Sequence, residues 1–322
     1  AVMCKGEIVE QGSKEDILLN PKKPYTKLLV DAMPLLETTR TPDQSREDTP
    51  IVEVTSLHKV YGSGPKQVHA LNDANFVLRS GETLGVVGES GSGKSTLAKT
   101  LIRLEDPTSG SVMINNDDFL ALSGQELDKA RMNIQMIFQD PFGSLNPCQT
   151  VEYMVTRGLL LQGVKPSQVQ QRTITLLNQV GLGKQALKRK PINFSGGQRQ
   201  RIGIARALSM APNVVIADES VSALDLSIQK QVLRLINDLQ NEYKMAIIFI
   251  THDLRVAAQI SDYITVMEKG VMVEFGSAEQ VFNNPKHDYT KKLLDAAPGR
   301  EWTPPRLNPE EAEQIARDLE VM

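Results

Sequence analysis

Cysteine is scarce in this chain of 322 residues: Cys4 and Cys148 are the only two. Two thiols exclude a disulfide scaffold and a four-cysteine metal site, and they suit a reducing compartment. Long apolar runs are missing too. The longest, Met245 to Ile250, falls far short of the roughly 20 residues that a membrane-spanning helix needs. Neither sign of charge is in excess. The net charge is −3, so no global basic field draws nucleic acid. No basic stretch precedes an apolar one near the start, so no secretory leader is expected. The chain opens on Ala1 without an initiator Met, which reads as a fragment or a processed product. What is present, 40% hydrophobic and 23% charged residues, argues against disorder and gives length for one large domain or two modest ones.

The chain contains part of itself twice. Ala1 to Pro34 aligns without a gap on Thr265 to Pro298, and more than half of the 34 pairs are identical. The repeated piece is the end of a domain, so the expected organisation is the tail of one copy followed by a complete second copy. Residues 1–34 are the remnant of the first copy, and the polar stretch 35–50, with two prolines, reads as a linker. Residues 51–276 make the complete domain, 277–299 an extension with two short helices around Asn-Pro, and 300–322 an acidic helical tail. Ile51 to Leu57 alternates as a strand does, and Val68 to Leu78 could pair with it. Ile134 to Phe138, Val214 to Ala217 and Ala246 to Ile250 are short β-branched runs of the kind that form buried parallel strands. Gln168 to Val180 and Ser227 to Glu242 read as helices between them.

The strongest local signal is Gly88-Glu89-Ser90-Gly91-Ser92-Gly93-Lys94-Ser95, followed by Thr96. A strand over Thr83 to Val87 precedes it and a helix over Lys94 to Leu104 follows, the context a phosphate-binding loop requires. Glycines let consecutive N–H groups turn toward phosphate, and the helix N-terminus adds its positive end. Lys94 supplies a charge for the β- and γ-phosphates, and the Ser95 hydroxyl is a ligand for Mg²⁺. Asp218 and Glu219 end the run Val214 to Ala217. In an open α/β sheet that position faces the ligand crevice. There Asp218 would hold Mg²⁺ through water and Glu219 would polarise an attacking water; the lesser alternative for the pair taken alone is a helix cap.

Together these residues resemble the ABC family of ATPases. Phe194-Ser195-Gly196-Gly197-Gln198 is similar to its signature motif, and Ser222-Ala223-Leu224-Asp225 to its D-loop. Gln139 resembles the Q-loop glutamine, which the family also uses at Mg²⁺, and His252 the switch histidine. Tyr61 stands where the family stacks an aromatic on adenine. The resemblance, over Ile51 to about Pro298, implies an α/β P-loop NTPase fold of the ABC type. Its parts would be a RecA-like core, an antiparallel β subdomain and an α-helical signature subdomain. It also implies ATP and Mg²⁺ as ligands, and Ser195, Gly196, Gly197, Gln198 and Asp225 serving ATP across an interface with a second ATPase domain. Two departures stand out. Phe194 replaces the usual Leu at a packing position, and Ser220 replaces the common Pro after Glu219.

The run Asn284 to Pro298, repeated at Asn20 to Pro34, resembles the C-terminal extension of oligopeptide and dipeptide importer ATPases. Tandem halves of this kind resemble glutathione-importer or peptide-importer subunits. The resemblance implies a peripheral subunit on the cytoplasmic face of the inner membrane, partnered by integral permease subunits and indirectly by a solute-binding protein. No nucleic-acid partner is expected. Phe142 to Leu161 is either the permease contact or ordinary core of the helical subdomain. Some members of this branch carry an iron–sulfur cluster near this end; with no cysteine there, none is expected. The competing reading, an ABC-type ATPase without a membrane partner, predicts a basic groove, cysteine fingers or long heptad insertions, and the sequence has none of these.

Overall fold

The computed structural model describes residues 1–4, 6–42, 49–140, 142–222, 224–297, 305–308, 310–312 and 314–315. The middle of the linker, Pro141, Ala223, Pro298 and most of the acidic tail lie outside the described residues.

A six-stranded sheet runs in the order Val271–Ser277, Tyr263–Glu268, Thr83–Val87, Ala246–Thr251, Val214–Asp218, Ile134–Ile137. All neighbours pair in parallel except the first two, which form an antiparallel hairpin. Val214–Asp218 and Ala246–Thr251 are buried at every position. Both their faces are covered, which is why they read as continuous apolar runs rather than alternating ones. A four-stranded antiparallel sheet, Val68–Leu78, Val52–Tyr61, Ser109–Ile114 and Asp117–Asp118, lies alongside. Here one face is wet: Val52 and Val54 are buried and Glu53 is exposed. The dry face packs with Leu97 and Leu101 of the helix Lys94–Leu101. On the other side, Val155, Leu177 and Ile202 of the helices Val151–Leu161, Pro166–Gln179 and Gly196–Leu208 close over Phe249 and Ile236. Phe194 is buried in that layer with the Arg189 guanidinium 4.3 Å from its ring centroid, so the residue before Ser195 does sit at a packing position. No helix among the described residues is long and apolar enough to cross a membrane.

The sequence repeat is also a repeat in three dimensions. The hairpin Val2–Cys4/Glu7–Glu10 leads into the helices Lys14–Leu19 and Pro24–Ala32, as the hairpin at 263–277 leads into Ala278–Asn283 and Asp288–Asp295. One carboxylate holds each turn. Glu10 accepts the N–H groups of Lys22 and Lys23 at 2.8 and 3.0 Å, and Glu274 accepts those of Lys286 and His287 at 2.8 and 3.0 Å. Ser13 and Ser277 cap the helices that follow.

The first copy docks on the helix Leu226–Tyr243. Asp31 is buried and pairs with Lys230 at 2.6 Å. Arg40, within the polar stretch after it, is nearly enclosed. Its guanidinium donates to Thr83 Oγ1 at 3.1 Å, Asp262 Oδ2 at 3.2 Å and Gln240 Oε1 at 2.7 Å, and also to Asn237 Oδ1. Beside it, the Thr39 hydroxyl donates to the Gln259 carbonyl at 2.6 Å. Arg40→Ala is therefore expected to lower unfolding stability by about 1–3 kcal/mol, because half-buried acceptors lose their donor. Arg40→Lys should recover part of it. Denaturant midpoints of the three proteins check this, and equal midpoints would mean the guanidinium does not hold the segment down.

Candidate functional site

The core strand Thr83–Val87 ends at Gly88, and the helix Lys94–Leu101 starts after Gly93. Between them the loop is clamped by backbone. Gly88 has φ +152°, and a Cβ there would lie 2.3 Å from the Met267 carbonyl oxygen; Gly93 has φ +106°, and a Cβ would lie 2.4 Å from that of Ala70. Neither position can hold a side chain in this shape. The loop opens on a cavity of about 450 Å³ lined by Ser90, Gly91, Gly93, Lys94, Ser95 and Thr96, with Gln139 and Glu219 opposite. Gly88, Glu89 and Ser92 support the wall without lining it. The Lys94 ammonium is buried and donates to the carbonyls of Gly88 and Glu89, both at 2.8 Å. Burial pushes its pKa down, and the nearby Glu219 and Asp218 carboxylates offset only part of that.

The acidic pair meets the loop from the end of the strand Val214–Asp218, one strand removed from Thr83–Val87. The Ser95 hydroxyl donates to Asp218 Oδ1 at 3.4 Å. Glu219 leaves the strand in the left-handed region, φ +42°, and its N–H donates to the Ile250 carbonyl at 2.9 Å. A non-glycine residue held there is strained, and the strain aims its side chain. Gln139 Nε2 donates to Glu219 Oε2 at 2.7 Å, and His252 Nδ1 lies 3.4 Å from Glu219 Oε1. Five residues from four distant parts of the chain thus meet: Ser95, Gln139 and Glu219 line the cavity, and Asp218 and His252 contact that lining from behind. Their oxygen donors, a hydroxyl, an amide and a carboxylate, are the hard ligands Mg²⁺ prefers. Among the described residues no cluster of three His, Cys, Asp or Glu could hold a metal by itself.

Asp218 is raised above the usual carboxylate range, first by burial and then by the Glu219 charge, against the pull of Ser95 and Lys94. A carboxyl group whose folded pKa is raised adds stability below its unfolded pKa and loses it as pH rises through the folded value. At neutral pH the ionised group is therefore a cost to the fold. Asp218→Asn is expected to raise the melting temperature of the nucleotide-free protein at pH 7. The gain should close as pH falls through the carboxylate range. A variant that melts below the wild type at pH 7 would contradict the buried-charge account.

Other expected site residues lie elsewhere. Tyr61 is outside the cavity lining, at the end of a strand whose partner Val68 does line it. Its hydroxyl donates to Glu105, and the Lys59 ammonium lies 5.0 Å from its ring centroid. Ser195, Gly196, Gly197 and Gln198 do not line this cavity. Ser195 caps the helix Gly196–Leu208 in a reciprocal box with Gln198, at 3.1 and 3.3 Å. Gly197 is buried, and a Cβ there would lie 2.3 Å from an Ile228 methyl. Asp225 caps the helix Leu226–Tyr243, accepting the Ile228 N–H at 3.1 Å and the Ser227 hydroxyl at 2.7 Å. Sequence reasoning missed the far wall, made by Val68, His69 and Ala70 with the hairpin turn at Lys269 and Gly270. No motif marks those residues. Gly270 joins them to the loop: its N–H donates to the Ser92 carbonyl at 2.9 Å, and its carbonyl accepts the Asn72 N–H of the other sheet at 2.8 Å.

Known proteins resemble this chain in sequence and in fold. The model of the ABC transporter family matches residues 71–222, and that of the oligopeptide/dipeptide transporter C-terminal region matches residues 9–61 and 273–317. The structure of the ATP-binding cassette MJ0796 as a dimer in a post-hydrolysis state bound to ADP and Pi is 30% identical, with TM-score 0.65, over 70% of this chain and 98% of that one. The chain belongs to the ABC transporter ATP-binding family. Another ABC structure, cbiO1 from Clostridium perfringens, part of the complex cbiONQ, is 28% identical, with TM-score 0.65, over 74% of this chain and 92% of that one. Among curated ABC relatives, the glutathione import ATP-binding protein GsiA of Salmonella paratyphi A is 41% identical over 92% of this chain and 53% of its own length. GsiA of Escherichia coli O6:H1 is 41% identical over 96% and 54%. The chain spans about half the length of the curated relatives it matches. The two matched stretches of the C-terminal region overlap the two copies of the repeat.

Proposed function

We propose that this chain carries an ATPase domain that binds and hydrolyses ATP to power uptake of a peptide or a peptide-like solute through an ABC importer. One observation carries the chemistry: the Glu219 carboxylate, gripped by Gln139 and His252, faces the mouth of the phosphate-loop cavity. In this reading Lys94 leaves the carbonyls of Gly88 and Glu89 for the β- and γ-phosphates, and Tyr61 stacks on adenine. Glu219 takes a proton from water as the water oxygen attacks the γ-phosphorus and the bond to the ADP oxygen breaks. His252 holds Glu219 and contacts the γ-phosphate. Ser95, Asp218 and Gln139 would hold Mg²⁺, which neutralises charge on the phosphates when bound.

The Ser195 cap presents the free N–H groups of a helix start, a ready anion site, away from the cavity. It serves the ATP of a second ATPase domain, and Asp225 belongs to the same interface. The permease docks in a groove of about 560 Å³ between the core sheet and the helical layer, lined by Leu104, Phe138, Gln149, Tyr153, Arg157 and Met210. Leu104 and Tyr153 are exposed there by 58% and 51%, an apolar surface that suits a partner helix. A solute-binding protein would deliver the solute on the far side of the membrane, with this chain peripheral on the cytoplasmic face. The names of the GsiA relatives support glutathione as the first solute to try.

With the phosphate loop and the Ser195 cap apart, hydrolysis needs two domains to meet. Specific activity of the chain alone should therefore rise with its concentration. A mixture of Lys94→Ala and Ser195→Arg chains should exceed either alone, because it can assemble one intact site. Activity independent of concentration, with no gain in the mixture, would reject the two-domain site.

A further inference from the structure

We propose that Tyr289, in the C-terminal extension, is a positioning residue for the phosphate loop, acting through the main chain of Glu89. The loop's N–H of Glu89 donates to the Tyr289 hydroxyl at 3.3 Å, between residues 200 positions apart. The tyrosine is not a stray surface group. Its ring packs against the cluster of Val87, Leu254 and Leu294, and Val87 is the residue before Gly88. Burial pushes its hydroxyl pKa up, so it stays a neutral phenol with lone pairs to offer.

The tyrosine is fixed from beneath. Its own N–H donates to His287 Nδ1 at 3.2 Å, and the turn before it is closed by Glu274, which accepts from Lys286 and His287. Glu274 is only 8% exposed. Burial alone would raise its pKa, but the Thr290 side chain and those two amides outweigh that and hold it below the usual range, so the clamp stays charged at neutral pH. On the loop side, the Glu89 carbonyl accepts the Lys94 ammonium at 2.8 Å and the Ser92 N–H at 3.2 Å. One residue thus connects tyrosine and lysine: its N–H reaches the extension and its carbonyl holds the cation that ATP would claim. When phosphate draws Lys94 away, Glu89 keeps its tie to Tyr289, and the loop keeps its curl. The extension thereby sets how well the loop is preformed for nucleotide.

The nucleotide half of this inference rests on the ATP site proposed above; the loop half does not. Tyr289→Phe removes the hydroxyl and keeps the ring. In the nucleotide-free chain, amide hydrogen exchange of residues 88–93 should become about 3- to 10-fold faster, the scale of one lost hydrogen bond, with the strand 246–251 unchanged. Binding of Mg·ATP should weaken by a similar factor while the melting temperature holds. Tyr289→Ala, which also loses the packing, should weaken binding further and lower the melting temperature. Unchanged exchange at 88–93 in Tyr289→Phe overturns the proposal. So does faster exchange with unaltered ATP affinity, provided Lys94→Ala lowers that affinity. If Lys94→Ala leaves ATP affinity intact, the ATP site itself fails, and the exchange result still decides whether Tyr289 holds the loop.

Discussion

Glu219→Gln is expected to leave ATP binding intact and to slow hydrolysis by about 10²- to 10⁴-fold, the range of a lost general base. The substitution keeps the shape of a side chain that sits in a strained φ of +42°. The new amide can still accept from Gln139, so the site should not collapse. What disappears is the charge that takes the proton from water, beside His252 at 3.4 Å. Because nucleotide would bind without turning over, ATP should trap two domains closed. The expected reading is an ATP-dependent shift to dimer on size-exclusion chromatography, alongside near-zero phosphate release. Turnover close to that of the parent chain would remove Glu219 from the chemistry.

Lys94→Ala should act one step earlier. A charge-assisted bond to phosphate is worth about 1.5–3 kcal/mol, so ATP affinity should fall by about 10- to 100-fold and turnover with it. The nucleotide-free fold should tolerate the change better than the ligand does. Burial already disfavours the ammonium, so deleting it relieves that cost while two carbonyls lose their donor. Titration with ATP in the presence of Mg²⁺ checks the first effect and a thermal melt the second. An unaltered affinity would separate Gly88 to Ser95 from phosphate binding.

The core strands and the loop were legible from the sequence because each is a local pattern. Val214 to Ala217 and Ala246 to Ile250 are short β-branched runs, and the observed strands, Val214–Asp218 and Ala246–Thr251, each extend one residue further. The helix after the loop ends at Leu101, before the expected Leu104, because Arg103 turns into a positive φ of +52°. The contacts that finish the site are not local. Gln139 and Glu219 are 80 residues apart, Ser95 and Asp218 are 123, and Glu89 and Tyr289 are 200. A single hydrogen bond between such positions leaves no periodicity to read. Arg40 is the clearest instance. By composition its neighbourhood is a polar connector, yet its guanidinium finds acceptors as far along the chain as Asp262.

Two attachments on one rod behave unlike one. Lys230 receives Asp31 near the start of the 18-residue helix Leu226–Tyr243, and Asn237 and Gln240 receive Arg40 further along it. At 1.5 Å per residue, the ten positions from 230 to 240 separate the outer two by roughly 15 Å. A single pivot would let the amino-terminal segment swivel about the helix. Two pivots at that spacing remove the swivel and leave the segment and the helix turning together. Any torque applied through residues 31–40 is therefore delivered to the whole rod, including the end that Asp225 caps.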